Sequence, residues 1–345
     1  MFRRITMGAA IFAVFLSCAA AAAESPFRVP KSKAELEAFV RAESEAVKGT
    51  LGVYVKHVES GEWVGLNENR RFQLASVFKI PILLTLFKQV DQGRASLDDR
   101  IVLESRMKTY GSGLLAGMTP GLNLTVHDLA LLMMARSDNT ATDILFDLVT
   151  SRAISAYMAE LGLKNTTIDY STRQLILGFL GLDPMKPLTV EELTKVPAST
   201  WASPDVQARQ RVFSTAEHNT STPYEIGFLL EKCLKGEIVN REASDKIIEI
   251  MRAHTGAEVI LRYLPLETPI ARKGGSLERN GENTVFNDSG IVWLPGQAGR
   301  LVICLFGNDL QEVHYDLKHK MGLIARAAYD YFAGRSQKKS AAARG

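Results

Sequence analysis

Strand patterns stand at both ends of this chain and helical patterns fill its middle. Near the start, Leu51-Gly52-Val53-Tyr54-Val55 alternates, passes through Glu59-Ser60-Gly61-Glu62 and resumes at Trp63-Val64-Gly65-Leu66. This reads as a hairpin with a glycine-containing turn. Near the end, residues 269–272, 284–294 and 300–306 read as strands, separated by turns at Gly281-Glu282-Asn283 and Pro295-Gly296-Gln297-Ala298-Gly299. Between them, from Leu97 to about Gly236, the pattern is mostly helical. The expected class is therefore α/β (α+β). One antiparallel sheet is built from about 30–75 and 245–332 and flanked by helices, and an all-helical part, about 76–244, is inserted into it.

The chain opens on a pattern that reads as a secretory leader over residues 1–23: Arg3 and Arg4, an apolar stretch centred on residues 11–16, and small residues at 19–23. The stretch is too short for a comfortable membrane span. Cys18 could accept a lipid, but Phe15 fits that role poorly three positions earlier, and cleavage after Ala23 removes both. The protein is expected in the periplasm or secreted, without stable membrane insertion. Loss of Arg3 and Arg4 reduces the 41 basic residues to 39 against 38 acidic ones, a net charge of +1 in place of +3. That balance argues against a nucleic-acid partner. The basic cluster Arg335, Lys338, Lys339 and Arg344 lies among Ser, Ala and Gly and reads as a disordered tail over 333–345, so residues 24–332 form the expected catalytic domain. Cys233 and Cys304 are read as buried free thiols, since two cysteines do not make a disulfide scaffold. The six histidines show no metal-ligand spacing, and neither metal nor cofactor is expected. A monomer is expected.

Local signals mark several helices. Residues 31–48 carry Leu36, Phe39, Val40 and Val47 on one face, interrupted by Glu43. Thr125 caps a helix with Asp128 in capping-box position. That helix ends at Ser137-Asp138-Asn139, and another begins at Thr140. Thr222-Pro223 begins a further helix with proline at its first position, and residues 313–332 form a last amphipathic one. Residues 169–219, with Pro184, Pro187, Pro197 and Pro204, are irregular, and long irregular stretches are usually functional or mobile.

Three short motifs carry chemistry. Ser76-Val77-Phe78-Lys79 puts a hydroxyl and an amine three residues apart where a polar segment gives way to an apolar run, so that on a helix they share a face. A serine hydroxyl needs a base to become a nucleophile, and a lysine can be that base when burial or a nearby cation lowers its pKa. Pro81 lies in the second turn of a helix begun at Ser76, which loosens or bends the first turn. Ser137-Asp138-Asn139, at a break between helices, can present a second hydroxyl and an amide to a cleft. Lys273-Gly274-Gly275-Ser276 ends a strand pattern whose glycines let a substrate lie close to the backbone, and its edge can hold a peptide-like ligand.

These motifs, in this order, resemble the penicillin-recognising serine hydrolases, above all class A β-lactamases and related penicillin-binding proteins. The similarity extends to residues 124–142, to Thr220-Ser221-Thr222-Pro223, and to Asn287-Asp288-Ser289-Gly290-Ile291-Val292-Trp293, covering roughly residues 35–332. It implies the β-lactamase/transpeptidase-like fold and a β-lactam or peptidoglycan-like peptide as partner. It also implies residue roles. Ser76 is the acylating nucleophile, and Lys79 hydrogen-bonds it and takes its proton. Ser137 relays a proton to the leaving nitrogen, Asn139 grips the substrate's side-chain carbonyl, and Lys273 attracts its carboxylate. The amides of Ser76 and Ser276, beside Gly275, form the oxyanion hole, and Tyr110 walls the cleft.

Two departures stand out. The family's third motif has a hydroxyl residue where this chain has Gly274. The Glu-x-x-Leu-Asn that activates the deacylating water is missing between Asn139 and Thr222, in a segment long enough for an extra helix and loop near 175–193. Asp169, Asp183, Glu191, Glu192, Asp205 and Glu217 are the carboxylates on offer, with Glu217 and the pair Glu191 and Glu192 as candidate bases. Arg272 and Arg279 flank the third motif, either as carboxylate binders or as edge-strand solubilising charges. The expected function is β-lactam hydrolysis through an acyl-enzyme on Ser76. The alternatives are a DD-carboxypeptidase or esterase of the same superfamily, and a β-lactam-binding protein acylated without turnover.

Overall fold

A computed structural model describes residues 27–342 apart from 28, 187, 214–217, 256–258 and 280–281. The leader, Cys18, Glu217, Gly281 and the last three residues of the tail lie outside the described residues. The terminal segments do share one five-stranded antiparallel sheet. The hairpin Thr50–His57 and Trp63–Leu66 joins it through the C-terminal strand Arg300–Glu312, which pairs with Thr50–His57 on one side and Glu282–Trp293 on the other. Strand Ile270–Arg279 forms the far edge.

The sheet is covered on both faces, and the side-chain alternation of a strand sorts its residues accordingly. Val302, Cys304 and Phe306 face the helical part with Tyr54, while Leu301, Ile303 and Leu305 face the opposite layer with Val53 and Val55. That opposite layer consists of the N-terminal helix Lys33–Glu45, capped by Ser32, and the C-terminal helix His314–Ala342. The last helix runs past Phe332, where the apolar pattern ends, into the segment read as a disordered tail. Its residues Lys, Gln, Arg and Ala are strong helix formers, and Arg335 and Tyr331 both bond the Glu62 carboxylate.

The helical part packs around Lys79–Asp91, an almost wholly buried helix with Leu83, Leu84, Leu86 and Phe87 in the core. Thr125 and Asp128 form the expected capping box of Val126–Ala135. Asp138 caps Asn139–Val149, and Thr222 caps Pro223–Lys235. Cys233 and Cys304 are free and buried, and burial pushes the Cys233 thiol up to about 12. Residues 169–219 are more regular than their composition suggests. They hold the helices Thr172–Phe179, Val190–Thr194, Ala198–Trp201 and Pro204–Phe213. Ser171 with Gln174 and Thr189 with Glu192 form capping boxes that outweigh the nearby prolines locally. No described helix is long and apolar enough to cross a membrane.

Candidate active site

Ser76 sits in a turn that the sequence bends for it. Residues Ala75–Phe78 form a 3₁₀ turn, and the α-helix starts only at Lys79. Pro81 therefore falls in the first turn of the α-helix, where its missing N–H costs little. In 3₁₀ geometry residues i and i+3 eclipse, which stacks Ser76 against Lys79. The preceding Ala75 has φ +43°, a left-handed backbone that a residue with a Cβ rarely adopts, and Ser137 has φ +52°. Strained backbone at both hydroxyl motifs is held by surrounding bonds. Leu74 N–H donates to the Asn219 carbonyl, Ala75 N–H to Gln73 Oε1, and Asn287 Nδ2 to the Gln73 carbonyl at 2.9 Å.

The Ser137 loop is fixed from below. Asp138, fully buried, accepts N–H bonds from Leu114 and Leu115 and from Ala141. Asn139 Nδ2 donates to the Tyr110 carbonyl at 3.0 Å, and Asn139 N–H to the Ser112 carbonyl. Tyr110 thus enters the site through its carbonyl. Its ring is buried, and its hydroxyl has no partner among the described residues.

The two lysines meet at one hydroxyl. Lys79 Nζ donates to Ser137 Oγ at 3.0 Å, to the Ser137 carbonyl at 2.7 Å and to Asn139 Oδ1 at 2.8 Å. Lys273 Nζ donates to the same Ser137 Oγ at 3.0 Å and to the Gly274 carbonyl at 2.6 Å. Among the described residues no hydrogen bond joins Lys79 to Ser76 Oγ. The amine is instead held by the Ser137 loop. Both lysines are fully buried. Desolvation lowers the Lys79 pKa to about 7, against the opposing pull of Asp143 and Asp138. Lys273 is pushed well below its ordinary value by burial first and by the Lys79 charge second. Two amines that share one hydroxyl in a dry site compete for charge and titrate as a pair.

Gly275 explains how the edge strand reaches the Ser76 turn. A Cβ there would stand 2.5 Å from Ser76 N and 2.9 Å from both Leu74 O and Val77 N, so only glycine permits this approach. The neighbouring Ser276 is exposed at the cleft edge. The strand backbone at Gly275 thus lies against the Ser76 amide.

Other expected residues are engaged elsewhere. Glu192 caps its own short helix by accepting from Thr189, and Glu191 pairs with Lys195 at 2.6 Å on the surface. Asp169 accepts from His218 Nδ1 at 2.6 Å and from Asn219 N–H. Arg272 is neither a solubilising charge nor a free carboxylate binder: it is buried in an ion pair with Asp288 at 2.9 Å. Among the described residues no group of three His, Cys, Asp or Glu is placed to hold a metal.

Sequence reasoning missed three contributors. Asp143, buried, accepts from Thr109 Oγ1 and from the amides of Thr172 and Arg173, and so anchors the helix Thr172–Phe179 behind the site. Burial raises its pKa despite those bonds. Ile176 of that helix lies beside the Asn139 amide, since both crowd the space at Gly111. His254 lies beside Gly274, where its Nε2 and Asp288 Oδ1 both border the open position of the glycine. None of the three carried a sequence signal of its own: Asp143 and Ile176 lie in ordinary helical stretches, and His254 has no metal-ligand spacing.

The profile of the beta-lactamase enzyme family matches residues 32–332. A beta-lactamase from Bacteroides uniformis is 26% identical, with 86% of this chain and 90% of the relative covered. The extended-spectrum beta-lactamase PER-1 from Pseudomonas aeruginosa is 24% identical, with 89% of each covered. The crystal structure of a beta-lactamase from Sphaerobacter thermophilus superposes with a TM-score of 0.66 at 29% identity, covering 85% of this chain and 94% of that one. PBP-A, at 22% identity and a TM-score of 0.65 over 90% of this chain and 99% of its own, shares the fold.

Proposed function

The chain belongs to the β-lactamase enzyme family and is a serine β-lactamase-like hydrolase of a cyclic amide bond, and on that premise we propose that it is exported and opens its substrate through an acyl-enzyme on Ser76. The observation that carries this reading is Ser137 Oγ held at 3.0 Å by both buried lysines, directly beside the Ser76 turn. In its neutral form Lys79 takes the Ser76 proton as Oγ attacks the lactam carbonyl carbon. The oxygen of the tetrahedral intermediate accepts from the amides of Ser76 and Ser276, donors of a kind worth roughly 10²–10³ in rate each. When the C–N bond breaks, Ser137 gives its proton to the departing nitrogen and regains one from the lysine pair. Lys273 draws the substrate's carboxyl group, and the second N–H of the Asn139 amide binds the acyl side chain. In the second half-reaction the Lys79–Ser137 pair takes a proton from the water that attacks the acyl carbon, and returns it to Ser76 Oγ as the ester bond breaks and the acid leaves.

A second reading, acylation with slow release, is favoured by one observation. The helix Thr172–Phe179 sets Ile176, an apolar side chain, beside the Asn139 amide, and no described carboxylate bonds Ser76 or Lys79. The test is to mix purified mature protein with a chromogenic β-lactam, follow colour and take intact masses. Sustained colour with return to the free mass supports hydrolysis. One equivalent of colour with a lasting adduct selects the trap. An adduct or turnover retained by Ser76→Ala refutes both.

A further inference from the structure

At the third motif Gly274 leaves a notch where the family resemblance implies a hydroxyl side chain. A Cβ at that position would stand 3.6 Å from the Asn287 carbonyl oxygen, 3.7 Å from Asp288 Oδ1 and 3.8 Å from His254 Nε2. All three are van der Waals distances, so the notch has room for a group and does not need glycine for space. Each of these three atoms is an acceptor. Asn287 contributes a carbonyl. Asp288 Oδ1 is buried and has no hydrogen-bond partner among the described residues, while Oδ2 of the same carboxylate takes Arg272 and the Ile260 amide. His254 Nδ1 donates to the Met134 carbonyl at 2.8 Å, which leaves Nε2 with its lone pair. Burial and the charges of Lys273, Arg272 and Lys79 keep this imidazole neutral, with its pKa lowered to about 3.

A cluster of acceptors with one buried orphan is incomplete without a donor. The carboxyl subsite here is therefore two-sided. Its Lys273 and Ser137 side donates, and its Gly274 side accepts. A carboxylate satisfies the first side and sets its second oxygen against the Asp288 and His254 acceptors. A primary carboxamide satisfies both, with its carbonyl toward Lys273 and its N–H₂ toward the notch. Building on the acyl-enzyme reading above, we propose that His254, with Asp288 and the open position at Gly274, is a specificity determinant that reads a hydrogen-bond donor on the ligand beside the carboxyl subsite, and so favours uncharged carboxamide or hydroxyl groups over a bare carboxylate.

The experiment compares two forms of one β-lactam, the free carboxylate and its primary carboxamide, by the rate of Ser76 acylation measured from intact mass. The readout is the carboxamide-to-carboxylate ratio of acylation efficiencies in wild type, His254→Leu and Gly274→Thr. Leucine removes an acceptor, and threonine fills the notch with a donor of the protein's own while leaving the His254–Met134 bond in place. The expected result is a fall of about tenfold in the ratio in each variant, the size of one unpaired buried hydrogen bond. Ratios within twofold of wild type in variants that are still acylated overturn the proposal. If His254→Leu does not fold, Gly274→Thr decides alone. Wild type acylated by neither form overturns the acyl-enzyme reading itself, and this proposal with it.

Discussion

Lys79 is the side chain on which the proposed mechanism turns. Its amine is completely buried and makes three hydrogen bonds, all to the Ser137–Asn139 loop. With a pKa near 7 it is split between charged and neutral forms at neutral pH. In the proposed mechanism the base in acylation is the neutral form, so acylation efficiency should rise as pH increases through about 7 and level off above it, because deprotonation creates the active species. A pH profile of single-turnover acylation checks this, and a rate that falls across that interval refutes Lys79 as the base. Lys79→Arg keeps the charge but cannot release it near neutrality, and should lower acylation at least 10²-fold at pH 7. How Ser76 and Lys79 share a turn was readable from sequence, because a three-residue spacing and Pro81 are local facts. The partner that holds the amine was not, since Ser137 lies 58 residues away and only the fold brings it there.

The edge strand Ile270–Arg279 and the 3₁₀ turn Ala75–Phe78 act as one element of the site, although nearly two hundred residues separate them in the chain. Two contacts make the joint. Gly275 permits the backbone approach, and Asn287, its cross-strand neighbour, bonds the Gln73 carbonyl while accepting from Gly307 N–H at 3.1 Å. Gly275→Ala would drive a methyl to 2.5 Å from Ser76 N. It should lower acylation by 10² or more, since a displaced oxyanion donor costs that much, and leave the far-UV circular dichroism unchanged. Asn287→Ala leaves two buried backbone groups unpaired and should cost about 2–4 kcal/mol in a denaturant titration; a loss under 1 kcal/mol would show that the turn is held without it. The paired glycines were visible in the sequence as a place for close approach. What approaches most closely is the nucleophile's own turn. The boundaries of helices with side-chain caps, at Thr125, Asp138 and Thr222, were readable to within a residue or two. Those of the 169–219 segment were obscured by its prolines, although Pro197 and Pro204 stand at helix starts, at the N-cap of Ala198–Trp201 and as the first residue of Pro204–Phe213.

For the molecule as a whole, the arrangement that most constrained the fold, strands at both ends and helices between, also sets how its parts depend on each other. Strand Arg300–Glu312 lies between the N-terminal hairpin and the strands near the site, so the sheet that carries Lys273 is completed only when this strand near the C-terminus is in place. Its outer face is covered by the two terminal helices. Leu36 and Val40 of the first and Leu317, Met321, Ile324 and Ala328 of the last share one core with Val53, Ile303 and Leu305. Removing residues 313–345 would strip the last helix from that face and expose the apolar residues packed against it. At roughly 1.5–3 kcal/mol per large apolar side chain, the lost burial exceeds the 5–15 kcal/mol by which a domain is usually stable. The truncated chain should therefore show no cooperative thermal transition and no acylation, although every residue of the site remains. Removing only residues 336–345 keeps Phe332, Tyr331 and the Arg335–Glu62 ion pair, an exposed contact worth little on its own. It should leave the melting temperature within about 2 °C and the acylation rate unchanged. Thermal melts of the two truncations, read beside intact-mass acylation, place the end of the folding unit between residues 312 and 335 if both expectations hold. A cooperative, acylated chain ending at residue 312 would mean that the sheet does not need its outer layer.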